Sequence, residues 1–126
     1  IFHEAIKHGA YECFVNEQAA MPMMYMPDAI KATLHIMSAP EEEIKLRTSY
    51  NISGVSFTPK VLAEAIQKHM PDFSISYKPD YRDKIAMSWP SSIDDSMARA
   101  HWGWKPDYGL HAMVADMLEN LREKAF

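Results

Sequence analysis

Few residues in this sequence are able to do chemistry, and their spacing decides what they can do. Six histidines and the lone Cys13 raise metal binding first. No histidine stands in His-x-x-x-His or His-Glu-x-x-His spacing, and Cys13 has no nearby thiol, so a zinc site would lack its ligand pairs. Histidines on surfaces and helix ends are the better reading. The block Met21-Pro22-Met23-Met24-Tyr25-Met26 gathers four soft thioethers of the kind that hold Cu(I). Methionine is also adaptable packing and pocket-wall material, and that reading is preferred. Asp80, Asp83, Asp94 and Asp95 could pair as carboxylates, yet helix caps and solvated turns explain them equally well. Ser56, in Gly54-Val55-Ser56-Phe57-Thr58, lacks the second glycine of a nucleophile elbow and reads as a loop residue. Trp89 is different: Ser88-Trp89-Pro90 sets a large aromatic in a proline-fixed segment, where pocket lining and core packing stand level.

Other chemistries are missing. The four glycines stand at 9, 54, 103 and 109, too far apart for a phosphate-cradling loop, so neither a dinucleotide fingerprint nor a P-loop can form. No tyrosine is followed four residues later by lysine. The net charge of −4 and the absence of a long basic block argue against a general nucleic-acid binder, which needs a positive field. No apolar run approaches the roughly 20 residues that span a bilayer. The lone thiol and the absence of a signal peptide lead us to expect a cytoplasmic protein.

A mixed α/β order must position these residues. The length, 126 residues, suits one hydrophobic core. Ile1 to Ile6 suggest the last turns of a helix closed by Gly9, and Tyr11 to Val15 read as a strand. Asn16 to Ala20 read as a loop and Met23 to Met26 as a short strand. Asp28 is placed to N-cap a helix with Ile30, Thr33, Leu34 and Met37 facing inward. A charged connection at Glu41 to Glu43 leads to a strand at Ser49 to Ile52, with a turn at Gly54. Thr58-Pro59 starts a helix whose buried stripe is Leu62, Ala65, Ile66 and His69 or Met70. Phe73, Ile75 and Tyr77 alternate as a strand, and Pro79 to Pro90 read as irregular. Asp94 caps a short helix to His101, closed by Gly103 with Trp104 packing beyond it. Leu110, Met113, Val114, Met117, Leu118 and Leu121 give the strongest helical period in the chain.

Tyr25-Met26-Pro27-Asp28, Tyr50-Asn51-Ile52 and Asp94-x-Ser96-x-Ala98-x-x-x-Trp102-Gly103-Trp104-x-Pro106 form a recognisable series. It resembles the C-terminal substrate lobe of extended short-chain dehydrogenases, the epimerase/dehydratase superfamily, and within it the L-threonine 3-dehydrogenase branch. Arg47-Thr48-Ser49, Ser56-Phe57-Thr58-Pro59, Tyr77-Lys78-Pro79-Asp80-Tyr81-Arg82 and Ser88-Trp89-Pro90 extend the likeness over nearly the whole chain. One departure is Met87, where the family usually has aspartate before Ser-Trp-Pro.

The resemblance implies that residues 1–126 are one substrate-binding lobe of a longer enzyme. The missing N-terminal Rossmann domain would bind NAD and carry the catalytic tyrosine and lysine, so catalytic residues and cofactor binding are not expected in this chain. Trp89, with Met21 and Met23, would face the small-molecule substrate, L-threonine being favoured. Two alternatives stand beside this reading. One is the lobe of a nucleotide-sugar epimerase or dehydratase, against which Met21 and Pro22 offer no cation for a diphosphate, although Arg82 and Arg99 could supply one. The other is a non-catalytic interaction module acting alone. The lobe is expected to leave an apolar face near Tyr25 open, and so to self-associate.

Overall fold

The computed structural model describes residues 1–124. Ten elements follow in order: α1 (Phe2–His8), β1 (Ala10–Cys13), β2 (Met21–Met23), α2 (Met26–Ser38), β3 (Val55–Phe57), α3 (Pro59–Gln67), β4 (Ser74–Tyr77), α4 (Tyr81–Met87), α5 (Ser96–Trp102) and α6 (Leu110–Glu123). A single 3₁₀ turn at Glu41–Glu43 follows α2. The fold is a mixed α/β arrangement around two separate two-stranded sheets. In one, β1 and β4 run parallel with Ala10 opposite Ser74 and Cys13 opposite Tyr77. In the other, β2 and β3 run antiparallel with Met21 opposite Phe57.

Local chemistry sets most boundaries. Gly9 and Gly103 take φ values of 66° and 71°, closing α1 and α5 as the left-handed caps that glycine adopts without Cβ strain. Thr58 accepts a hydrogen bond from the Val61 amide at 3.3 Å, and Pro59 opens α3 behind it. Gly54 is required for a different reason. A Cβ there would meet the Met23 carbonyl oxygen at 2.9 Å, so a larger residue would force the chain away from β2.

Three apolar clusters hold the molecule together. The largest joins α1, α3 and α6 through Ala5, Leu62, Ile66, Phe73, Met113, Val114 and Leu118. The second, with Cys13, Val15, Ala19 and Ala86, lies beside the parallel sheet. The third packs Ala32 of α2 against Ala98, Trp102 and Trp104. Of the two residues proposed to complete the α3 stripe, Met70 packs on the core and His69 is exposed.

Several elements differ from the sequence reading. The strand expected at Met23 to Met26 lies at Met21–Met23, because α2 begins at Met26. No ladder forms over 49–52 among the described residues. The pairing partner of β2 is Val55–Phe57, just past Gly54, and Tyr50 and Ile52 instead pack on the third cluster. Pro79 to Pro90 is not wholly irregular: Asp80 accepts from the Arg82 amide at 2.8 Å and caps α4. Asp28 does not cap α2, whose N-cap residue is Tyr25.

The largest correction concerns the face of α2. Ile30, Leu34 and Met37 point outward, and the helix packs inward through Ala32, Ile36 and Asp28. Periodicity identified an apolar stripe, but the indoles of Trp102 and Trp104 offered a deeper packing surface on the opposite side. No helix among the described residues is long and apolar enough to cross a membrane.

Candidate functional site

A cleft of about 370 Å³ opens where the two sheets approach each other. Its floor comes from the end of β1 and the loop after it, through Tyr11, Cys13, Phe14 and Val15. Met21 and Met23 of β2 and Phe57 of β3 form one wall. The opposite wall is α4, through Arg82, Ile85 and Ala86, and Trp89 stands at the rim just beyond that helix. The alternation of strand side chains explains the methionine wall: residues 21 and 23 project to the same side, while Pro22 turns away.

The methionine block therefore divides its members. Met21 and Met23 line the cleft, Met24 packs on the third cluster, and Met26 opens onto solvent along α2. They do not converge on one point as Cu(I) ligands would. Among the described residues, no three His, Cys, Asp or Glu side chains are grouped to hold a metal ion.

Trp89 is 59% exposed, so its indole is a rim group rather than a core residue. Its position is fixed through the backbone, since the Trp89 amide bonds the Ala86 carbonyl at 3.2 Å. The wall it belongs to is anchored as well. Asp83 of α4 accepts from both the amide and the side-chain nitrogen of Asn16, each at 2.8 Å. That contact ties α4 to the loop leaving β1.

Arg82 is the one charged side chain in a lining that is otherwise apolar apart from polar tips such as the Tyr11 hydroxyl. Its guanidinium carbon lies 3.5 Å from the centroid of the Phe14 ring, a cation–π contact. Nε and Nη2 both hydrogen-bond the Asp80 carboxylate. Those bonds hold the Asp80 carboxyl below the usual carboxylate range and push the Arg82 guanidinium higher. The sequence reading kept Arg82 open as a cation able to meet a diphosphate. The adjacent Asp80 was the signal that it is paired, with α4 fixing the geometry. Arg99 is likewise engaged, its Nε 2.7 Å from Asp95.

Asp28 is the residue whose structural role the sequence reading missed. It is only 1% exposed, and its two carboxylate oxygens accept from the amides of Asp107 and Tyr108 at 2.8 and 3.0 Å. Charge-assisted bonds of this kind compensate the burial of the carboxylate. They fasten the loop before α6 to the first turn of α2. Beside it, the Tyr25 hydroxyl donates to Asp116 of α6, and the Tyr25 ring meets Tyr108 edge-on with centroids 4.9 Å apart. Burial, followed by that bond to Asp116, pushes the Tyr25 phenol up to about 12.

With this geometry in place, the likeness to known proteins is direct. The chain is 49% identical over 119 residues to the mitochondrial L-threonine 3-dehydrogenase of Bos taurus, covering 94% of this chain and 32% of that protein. The solved GalE-like L-threonine dehydrogenase of Cupriavidus necator is 59% identical with a TM-score of 0.90, over 95% of this chain and 43% of that one. An uncharacterized epimerase/dehydratase of Staphylococcus aureus is 42% identical over 125 residues, 98% of this chain and 39% of that protein. The chain is a homologue of L-threonine 3-dehydrogenases and epimerase/dehydratases. No family model matches it. It spans about a third to two-fifths of the length of these relatives, so the homology concerns one part of a longer protein.

What the cleft can do chemically follows from its lining. Thioethers, aromatic rings and aliphatic side chains exclude water and hold apolar parts of a ligand. Among the described residues, its lining holds no carboxylate or imidazole.

Proposed function

We propose that this chain is the C-terminal substrate-binding lobe of an NAD-dependent L-threonine 3-dehydrogenase-like enzyme. The full enzyme would oxidise the β-carbon hydroxyl of L-threonine to give 2-amino-3-ketobutyrate, passing hydride to NAD held by a Rossmann domain in the rest of the longer chain. The observation that carries this reading is the convergence of Met21, Met23 and Trp89 on one apolar cleft in a chain homologous to threonine dehydrogenases.

The residues present do not form a dinucleotide cradle. Gly9 and Gly103 close helices, and Gly54 serves the close crossing beside β2. NAD is therefore assigned to the other part. The role of this lobe is positional. Met21 and Met23 form a dry wall, and Trp89 closes over the substrate from the rim, excluding water while the other part supplies the chemistry.

A nucleotide sugar fits this cleft less well. Its diphosphate needs cationic donors, and both candidate arginines are already paired with aspartates. The test uses these 126 residues joined to the remaining portion of the Cupriavidus necator relative. L-threonine should drive NADH formation and a UDP-sugar should not turn over. Trp89→Ala should raise KM for threonine on the order of tenfold, about 1.4 kcal/mol of lost binding. NAD reduction absent with threonine, together with turnover of the UDP-sugar, would overturn the proposal.

A further inference from the structure

Arg82 is the one charged side chain of the cleft lining, and its place along α4 gives it a use. The cleft residues supplied by α4 and the chain just after it are Arg82, Ile85, Ala86 and Trp89, spaced i, i+3, i+4 and i+7. At about 100° per residue these four share one side of the helix, with Arg82 and Trp89 two turns apart and nearly in line. Ser88 keeps helical dihedrals, φ −82° and ψ −12°, so Trp89 continues that line past the helix end. Whatever fixes the rotation of α4 at Arg82 therefore fixes where Trp89 stands.

Apolar packing does little to hold that rotation. A helix of 7 residues is too short to be stable by itself. Its buried residue is Ala86, whose methyl contributes on the order of 1 kcal/mol of apolar burial. The ties are polar and lie at the first turn. Ahead of the helix, the Asp80 amide donates to the Phe14 carbonyl at 3.1 Å. Within it, the Arg82 guanidinium sits over the Phe14 ring, held there by Asp80 through Nε at 3.1 Å and Nη2 at 2.6 Å. One residue on, Asp83 takes both donors of Asn16. The two side-chain ties are about 100° apart around the helix, so together they resist rotation in either sense. At the far end, Ile85, Met87 and Trp89 are all more than half exposed. The first turn is clamped, and the end that carries the indole is not packed.

We infer that Arg82 is a positioning residue of the cleft: locked by Asp80 over the Phe14 ring, it sets the rotation of α4 and through it the place of Trp89 at the rim. Asn16 and Asp83 supply the second tie. The guanidinium acts through the indole and not by touching the substrate. A planar fork that stacks on a ring while meeting a carboxylate through two nitrogens is particular to arginine, so lysine does not replace it. The effect of Arg82 on threonine rests on the reading of the cleft as a substrate site; its effect on the indole does not.

The test labels the joined chain described above with 5-fluorotryptophan and follows its fluorine NMR spectrum, the Trp89 signal being the one lost in Trp89→Phe. Arg82→Lys should shift or broaden that signal and leave the other tryptophan signals in place. In threonine oxidation, Arg82→Lys should raise KM about threefold with kcat within about twofold, and in a Trp89→Ala background it should move KM by less than about 1.5-fold. An unmoved Trp89 signal would overturn the positioning role, as would an effect on KM that persists in full without Trp89. Where Arg82→Lys does not fold, Asp80→Asn decides by the same signal, since asparagine keeps the helix cap and removes the charge that holds the guanidinium. A moved signal in a chain that does not oxidise threonine sinks the functional reading alone. Oxidation of threonine with the signal unmoved sinks the positioning role alone.

Discussion

Along α6, Met113, Val114 and Leu118 are buried against α1 and α3, whereas along α2 the helically spaced Ile30, Leu34 and Met37 lie open to solvent. Hydrophobic spacing reports that a helix face is made for burial; it carries no information about which body does the burying. α6 meets its partners inside this chain. α2 meets one partner through its inner face and presents the other face outward. The difference teaches that an apolar stripe describes two kinds of surface, a core already formed and a face that no other described residue covers.

The comparison is sharpest at matched leucines. Leu118→Ala removes a side chain that is 2% exposed and leaves a cavity, so it should cost about 3–4 kcal/mol in urea unfolding. An unchanged urea midpoint would mean that α6 is not the anchored helix.

Asp28→Ala tests the inner side of α2. It strands the amides of Asp107 and Tyr108 and should cost about 2–3 kcal/mol by the same measurement. A loss below about 0.5 kcal/mol would show that the loop before α6 is not held by this carboxylate.

Tyr25 links the two helices directly, and its effect depends on pH. Its folded phenol is raised to about 12 from an ordinary 10, so the neutral form favours the folded state. That stability is fully present below pH 10 and is lost as the pH rises from 10 towards 12, by up to about 2 kcal/mol. Tyr25→Phe should remove this part of the alkaline loss. Identical alkaline unfolding profiles for the two proteins would contradict it.

The smallest effect belongs to the open stripe. Leu34→Ser in the 126-residue chain should change stability by less than about 0.5 kcal/mol, because the side chain has little packing to lose. A loss approaching that of Leu118→Ala would mean that the outer face is already covered, and the contrast between the helices would collapse.

Much of this was legible in the residues. Gly9, Thr58-Pro59 and Gly103 mark helix ends by local chemistry alone, and each stands where the sequence placed it. The α6 stripe was equally clear, since its period and its burial agree. Strand positions were less so. Tyr50 and Ile52 have the composition of a strand, but pairing is decided by what lies alongside, and β2 takes Val55–Phe57 instead. α4 was missed because its flanking prolines drew attention from the capping Asp80 between them.

At the candidate site, sequence picked out Trp89, Met21 and Met23, and all three line the cleft. It did not reach the partners of Arg82 or Asp28. Those depend on contacts with Phe14 and with the amides of residues 107 and 108, which no local pattern encodes.

The parallel pairing of β1 with β4 has a consequence for how the chain acquires its shape. Ala10 must wait for Ser74, roughly sixty residues later, before the first rung can form. The helices can form locally in advance, but the strand that floors the cleft is completed by a distant segment. Such non-local closure slows folding relative to a helical bundle of the same length. During synthesis, β1 therefore leaves the ribosome as an unpaired edge and stays so until α3 has been made and β4 arrives beside it.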